Sequence, residues 1–148
     1  MASYTPRYFT LAELCASETA KKKKIDNFPS FDVTGHLLEL TEALLDPLRV
    51  AWGSGLRIES GYRCPTLNKA VGGAATSAHL TGYAADVKPT NGRINELITF
   101  TRQWLQTTGR RFDQLIDERG KDGGHWLHIG LYGPNGVQRG QFLTMTKK

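Results

Sequence analysis

The chain has 148 residues, a net charge of +5 at pH 7 and a hydrophobic fraction of 39%. This size and composition predict one globular domain over residues 1–148 and exclude a low-complexity chain. No run of about 18 apolar residues is present, which excludes a transmembrane helix.

The excess of basic residues favours an anionic partner, and part of it is local, in the Lys21–Lys24 block. The chain has no zinc finger, RNA-binding strand motif or basic-aromatic stripe, so nucleic acid is not a predicted partner. Cys15 and Cys64 lack the spacing of a metal or redox motif and are predicted to be free thiols. The N-terminus lacks a basic region followed by an apolar core, so we expect synthesis in the cytoplasm without a signal peptide.

The first third of the chain is predicted to be helical. Apolar spacing predicts a short helix over residues 11–18, followed by a polar loop over residues 21–32. The longest helical pattern covers residues 33–52 and contains Pro47. Because proline lacks an N–H group, Pro47 should kink or split this helix near Leu45.

The rest of the chain mixes strands with helices. Strands are predicted at residues 56–60, 84–88, 112–118, 125–132 and 140–145, and helices from Pro65 and from Ile94. A turn over residues 119–124 should close a hairpin in which residue 118 faces residue 125 or 126. The pattern predicts an α+β fold with a small antiparallel sheet flanked by helices.

The stretch SAHLTGYAAD, residues 77–86, holds candidate metal ligands. Gly82 permits a sharp turn that could bring His79 and Asp86 onto one ion. A third ligand would come from the strand HWLHIG, in which alternation places His128 on the face opposite to His125. A catalytic zinc takes three such ligands and leaves one position for water. The same set also serves non-haem iron, and the stretch could equally be only a turn into a strand.

Two longer motifs resemble the zinc peptidases of the M15 family, which include D-alanyl-D-alanine carboxypeptidases, dipeptidases and phage endolysins. The family signature SxHxxGxAxD runs without a gap from Ser77 to Asp86, and SGYRxPxxNxxVGG is matched from Ser60 to Gly73. FDQLI and the opening YFTLAELC resemble a small, single-domain branch that is common in phages. The resemblance extends over about residues 8–145.

The resemblance implies a fold similar to that of hedgehog domains and DD-peptidases, and one Zn²⁺ ion per chain bound by three ligands: His79, Asp86 and His128. It aligns Arg63 with an arginine that binds a peptide carboxylate or polarises the scissile carbonyl. A planar guanidinium suits either role. Ser77 aligns with a substrate-contacting residue.

The chain departs from the family pattern at the general base. Several branches have a carboxylate three residues before the last histidine ligand, where this chain has His125. His125 could itself be the base, Glu118 could reach the same space from the neighbouring strand, or the base could be weak. We favour Glu118, because a carboxylate is the usual partner of zinc-activated water.

The implied activity is hydrolysis of the stem peptides of peptidoglycan, as a D,D-carboxypeptidase or an L-alanyl-D-glutamate-type endopeptidase. We expect a monomeric phage or prophage lysin, delivered to the cell wall by a holin or a virion, without a separate wall-binding module. The missing carboxylate leaves an alternative open, a catalytically silent, metal-containing binding domain of the same fold.

Overall fold

The computed structural model of the protein describes residues 4–146. Its helices are α1 (Leu11–Cys15), α2 (Glu18–Lys23), α3 (Phe31–Leu40), α4 (Asp46–Trp52), α5 (Pro65–Ala70) and α6 (Ile94–Thr108). Its strands are β1 (Leu56–Ser60), β2 (Ala84–Pro89), β3 (Gln114–Arg119), β4 (His125–Gly130) and β5 (Gln141–Thr146). The predicted α+β class is confirmed.

Helix α2 corrects the prediction of a loop from Lys21 onwards. The predicted helix over residues 11–18 ends at Cys15, and a second helix begins after Ser17, whose hydroxyl accepts a hydrogen bond from Ala20 N at 3.1 Å. Lysine is a good helix former, and the positive charges in the last turn interact favourably with the negative end of the helix dipole. These local effects make the lysine block helical.

Pro47 distorts the long helix where the sequence predicted. The α-helical geometry of α3 gives way to a wider π-helical turn over Thr41–Leu45, and α4 begins at Asp46. Proline cannot donate to the carbonyl four residues earlier, and its ring would clash with that carbonyl. The wider turn accommodates the ring and lets the helical segment continue over the core.

The five strands form one mixed sheet in the order β1-β2-β4-β3-β5. The pairs among the first four strands are antiparallel, whereas β5 is parallel to β3. The sheet therefore departs from the expected antiparallel arrangement at this one edge. Strand β4 ends beside the beginning of β3, so the connection over residues 131–140 passes that end and β5 starts in the same direction as β3.

One face of the sheet packs against the helices. Ala85 and Val87 of β2 and Leu127 of β4 are fully buried in the same apolar cluster as the leucines of α3, α4 and α6. Residues that alternate with them, such as Asp86 and His128, point to the other face. Among the described residues, no helix is long and apolar enough to cross a membrane.

Asp46 fastens the N-terminal segment to α4. Its carboxylate is 3% exposed and accepts hydrogen bonds from the Tyr4 hydroxyl and from the backbone N–H groups of Arg7 (2.8 Å) and Tyr8 (3.1 Å).

We expect Asp46→Ala to lower the free energy of unfolding by about 2–3 kcal/mol, because these donors lose a charged acceptor. Urea unfolding measures the loss. The exposed control Glu42→Ala should change stability by less than about 0.5 kcal/mol, and equal losses would contradict this role.

Candidate metal centre

A short helical turn presents His79. The Ser77 hydroxyl accepts a hydrogen bond from His79 N at 3.2 Å and caps the 3₁₀ turn Ala78–Leu80. Gly82 then adopts a φ of +83°, and a Cβ at this position would lie 3.1 Å from Val33. Glycine therefore allows the chain to reverse tightly into β2, so that the ligand on the turn and the ligand on the strand lie close together.

Strand pairing supplies the other two members of the group. Asp86 of β2 and His128 of β4 are direct partners in the antiparallel ladder, so their side chains lie side by side on the face away from the helices. The flanking residues Ala84 and Ala85 are small and fully buried. His79, Asp86 and His128 are all buried, and each offers one ligand atom within 4.8 Å of the others.

The distances in this group suit a metal ion. Oδ1 of Asp86 lies 3.3 Å from Nε2 of His79 and 3.1 Å from Nδ1 of His128. Tetrahedral ligands at about 2.0–2.1 Å from an ion lie about 3.3–3.4 Å from one another. The His79 Nδ1–H group donates to the Gly61 carbonyl at 2.7 Å, which leaves Nε2 as the ring nitrogen on the side of Asp86. Such a backbone partner is usual for a metal-binding histidine. The residues therefore fit a metal ion.

The charge of Asp86 also suits metal binding. Burial raises the pKa of this carboxyl, but the nearby imidazoles of His79 and His128 more than offset the burial, so the pKa lies well below its usual range. The carboxylate is thus ionised, which is the form that binds a cation.

Glu118 lies beside the metal group. It is the partner of Trp126 in the β3–β4 ladder, as the hairpin prediction required. Its Oε2 accepts a hydrogen bond from the Trp126 indole N–H at 3.2 Å and lies 3.8 Å from His128 Nδ1. A cleft of about 520 Å³ is lined by these three side chains and by that of Asp86. The sequence analysis did not identify Trp126 as a site residue. The predicted hairpin, which paired residue 118 with residue 125 or 126, was the signal that could have identified it.

His125, the other candidate base, lies elsewhere. Its Nε2 is 2.6 Å from Oδ1 of Asp117, on the face of the sheet that packs against the helices. Alternation along β4 had predicted this difference from His128, and the residues lining the cleft do not include His125. The structure therefore brings Glu118, and not His125, to the metal group.

The two arginines that line the cleft differ in their partners. Arg139 forms a bidentate pair with the buried Asp113 at 2.7 and 2.8 Å, which holds the rim of the cleft. Within residues 4–146, the Arg63 side chain has no hydrogen bond or ion pair, and its Nε is buried. Burial lowers the pKa of the Arg63 guanidinium, while the charges of Asp86 and Glu118 act in the opposite direction. Arg63 is thus the arginine available to an anionic ligand.

Comparison with known proteins agrees with this geometry. A protein-family model described as Peptidase M15 matches residues 7–115. No curated protein matches the chain. The match includes Arg63, His79 and Asp86 and ends at the beginning of β3, so sheet pairing alone places His128 in the group. Because the matched residues make up well over half of the sequence, the chain belongs to the M15 peptidase family.

Proposed function

We propose that this protein is a zinc-dependent peptidase that hydrolyses peptide bonds in the stem peptides of peptidoglycan. Its reaction would be that of a D,D-carboxypeptidase or an L-alanyl-D-glutamate-type endopeptidase. The observation that carries the proposal is a single cleft that holds a group able to bind metal, a carboxylate and an arginine that forms no ion pair with any described residue. These parts suffice for hydrolysis of an amide bond.

Each side chain has a distinct part in the reaction. A zinc ion held by His79, Asp86 and His128 would supply Lewis acidity for the attack of water on a peptide carbonyl. Glu118 takes one proton from the attacking water and later gives it to the leaving amine, so the products are a carboxylate and a free amine. The position of its Oε2, 3.8 Å from a ligand atom of His128, supports this role.

Arg63 and Ser77 are the proposed substrate-binding residues. The fork of Arg63 suits a stem-peptide carboxylate or the oxygen of the scissile carbonyl. The Ser77 oxygen already accepts a hydrogen bond from His79 N, so its O–H group is left to donate to substrate. Ser77 thus has a structural role as well, because its hydroxyl caps the turn that carries His79.

We further propose that the protein acts as a phage or prophage lysin, a role that its positive net charge supports. A net charge of +5 favours contact with an anionic cell wall. Access to the wall would depend on a holin or a virion, and the single predicted domain would act as a monomer.

Metal content and cleavage, measured on the same preparation, test the proposal. Elemental analysis should find about one zinc per chain, and mass spectrometry of digested peptidoglycan or stem peptides should find released D-alanine or a cut after L-alanine. Chelated protein is the control. Zinc without cleavage of any stem peptide would instead support the silent binding domain, and the lack of bound metal in zinc-supplied protein would remove the metal site.

Trp126 is expected to orient Glu118. Trp126→Phe keeps an aromatic ring but removes the indole N–H, so we expect kcat to fall about three- to tenfold with metal content unchanged. Trp104→Phe, in α6 on the far side of the sheet, is the matched control and should keep kcat. Similar losses in both variants would show that the indole hydrogen bond has no specific role.

A further inference from the structure

The side chain of Asn27 joins its own loop to two other parts of the backbone. Its Nδ2 donates to the carbonyls of Cys15 and Tyr62, each at 2.9 Å, and its Oδ1 accepts from Cys64 N at 2.8 Å. Two acceptors on one side and one donor on the other allow only one orientation of the amide. Asn27 therefore acts as a cross-link in the loop between α2 and α3.

Two of these contacts bracket Arg63. They bind the residue before it, at the Tyr62 carbonyl, and the residue after it, at Cys64 N. The N–H of Arg63 itself donates to the His79 carbonyl at 3.0 Å. Strand β1 has already ended at Ser60, and the N–H of Tyr62 donates to the Leu14 carbonyl at 2.8 Å instead of to a strand. Asn27 is the side chain that fixes the backbone on both sides of Arg63.

Arg63 needs such support because its own side chain has no anchor. In the part of the chain that the structure describes, the guanidinium makes no hydrogen bond or ion pair, although Asp86 and Glu118 attract it. Where the guanidinium meets a ligand is therefore set by the backbone that carries it. A loss of backbone support would displace the guanidinium, whereas Asp86 and His128 are held by the β2–β4 ladder and His79 by its own capped turn.

We infer that Asn27 is a positioning residue that fixes Arg63 for binding of the substrate carboxylate or carbonyl. This inference rests on the proposed function of Arg63. A displacement of about 1 Å at a binding group can lower catalysis about a hundredfold. Asn27→Ala should therefore lower kcat/KM by about 10- to 100-fold on a stem peptide, with metal content unchanged.

A double-mutant cycle separates positioning from a general effect on folding. In an Arg63→Ala background, Asn27→Ala should lower kcat/KM by less than about threefold, since residues that act together are non-additive. A full loss in that background would overturn the inference and leave the proposed function intact. If Arg63→Ala alone keeps wild-type kcat/KM, the proposed role of Arg63 falls, and the positioning role falls with it. Asn91→Ala, in an exposed loop, is the matched control.

An NMR measurement tests the same inference without catalysis. In ¹⁵N-labelled protein, the order parameter of the Arg63 backbone N–H group should be near the rigid value of about 0.85 and fall below about 0.6 in Asn27→Ala. If the alanine variant does not fold, Asn27→Asp can be measured in its place. This variant has the same size but loses both hydrogen bonds that Nδ2 donates. An unchanged order parameter in a folded variant would overturn the inference.

Discussion

Replacing Glu118 by glutamine should slow turnover about a hundredfold or more and leave the metal bound, because an amide cannot take a proton from water. The carboxylate borders the metal group through its contact at 3.8 Å with His128, and it does not belong to the three metal ligands. The variant keeps the size of the side chain and can still accept from the Trp126 indole. Steady-state kcat on a stem peptide, together with elemental analysis, measures the effect.

His125→Ala provides the control for this prediction. The imidazole lies on the opposite face of the sheet, 2.6 Å from Asp117, and cannot reach the cleft from there. We therefore expect kcat to stay within about threefold of wild type, since a group outside the cleft transfers no proton to substrate. A loss in His125→Ala equal to that in Glu118→Gln would mean that the assignment of the base is wrong.

The parts of the fold that depend on short-range patterns were predictable. Alternation over HWLHIG separated His125 from His128, and the turn before it predicted residue 118 opposite residue 125 or 126, of which the structure has Trp126. Pro47 distorted the long helix near Leu45 because its effect extends over one helical turn. Strand alternation, hairpin turns and proline effects depend only on residues that are close in the sequence, so the sequence alone predicts them.

Other parts depend on contacts between distant segments. The direction of β5 follows from where β4 ends in space, and the bracketing of Arg63 depends on Asn27, 35 residues from its partner Tyr62. The predicted loop at the lysine block failed for a different reason, since a local cap at Ser17 outweighed the polar composition. Motif and strand pattern thus predicted that His79, Asp86 and His128 come together, whereas the groups that support them required the three-dimensional arrangement.

Replacing Asp86 by asparagine should abolish metal binding and cleavage together. The carboxylate oxygen lies between the two imidazoles, at 3.3 Å from His79 and 3.1 Å from His128, so its charge is central to the group. Loss of a partner outside the ligand set already costs about 10- to 100-fold in metal affinity, and loss of a charged ligand should cost more. His79→Ala should behave in the same way. Elemental analysis and a zinc titration measure the loss.

Asp117→Asn is the matched control, because this aspartate lies in the same sheet, on β3, but faces away from the cleft. An ion that binds only the folded protein stabilises it by about 2.7 kcal/mol at a hundred times its Kd. Zinc should therefore raise the Tm of the wild type and of Asp117→Asn but not that of Asp86→Asn. An equal rise in Asp86→Asn would place the ion elsewhere. Because this measurement requires no substrate, it tests the metal site for a peptidase and for a silent binding domain alike, and cleavage of a stem peptide by the wild type then distinguishes the two.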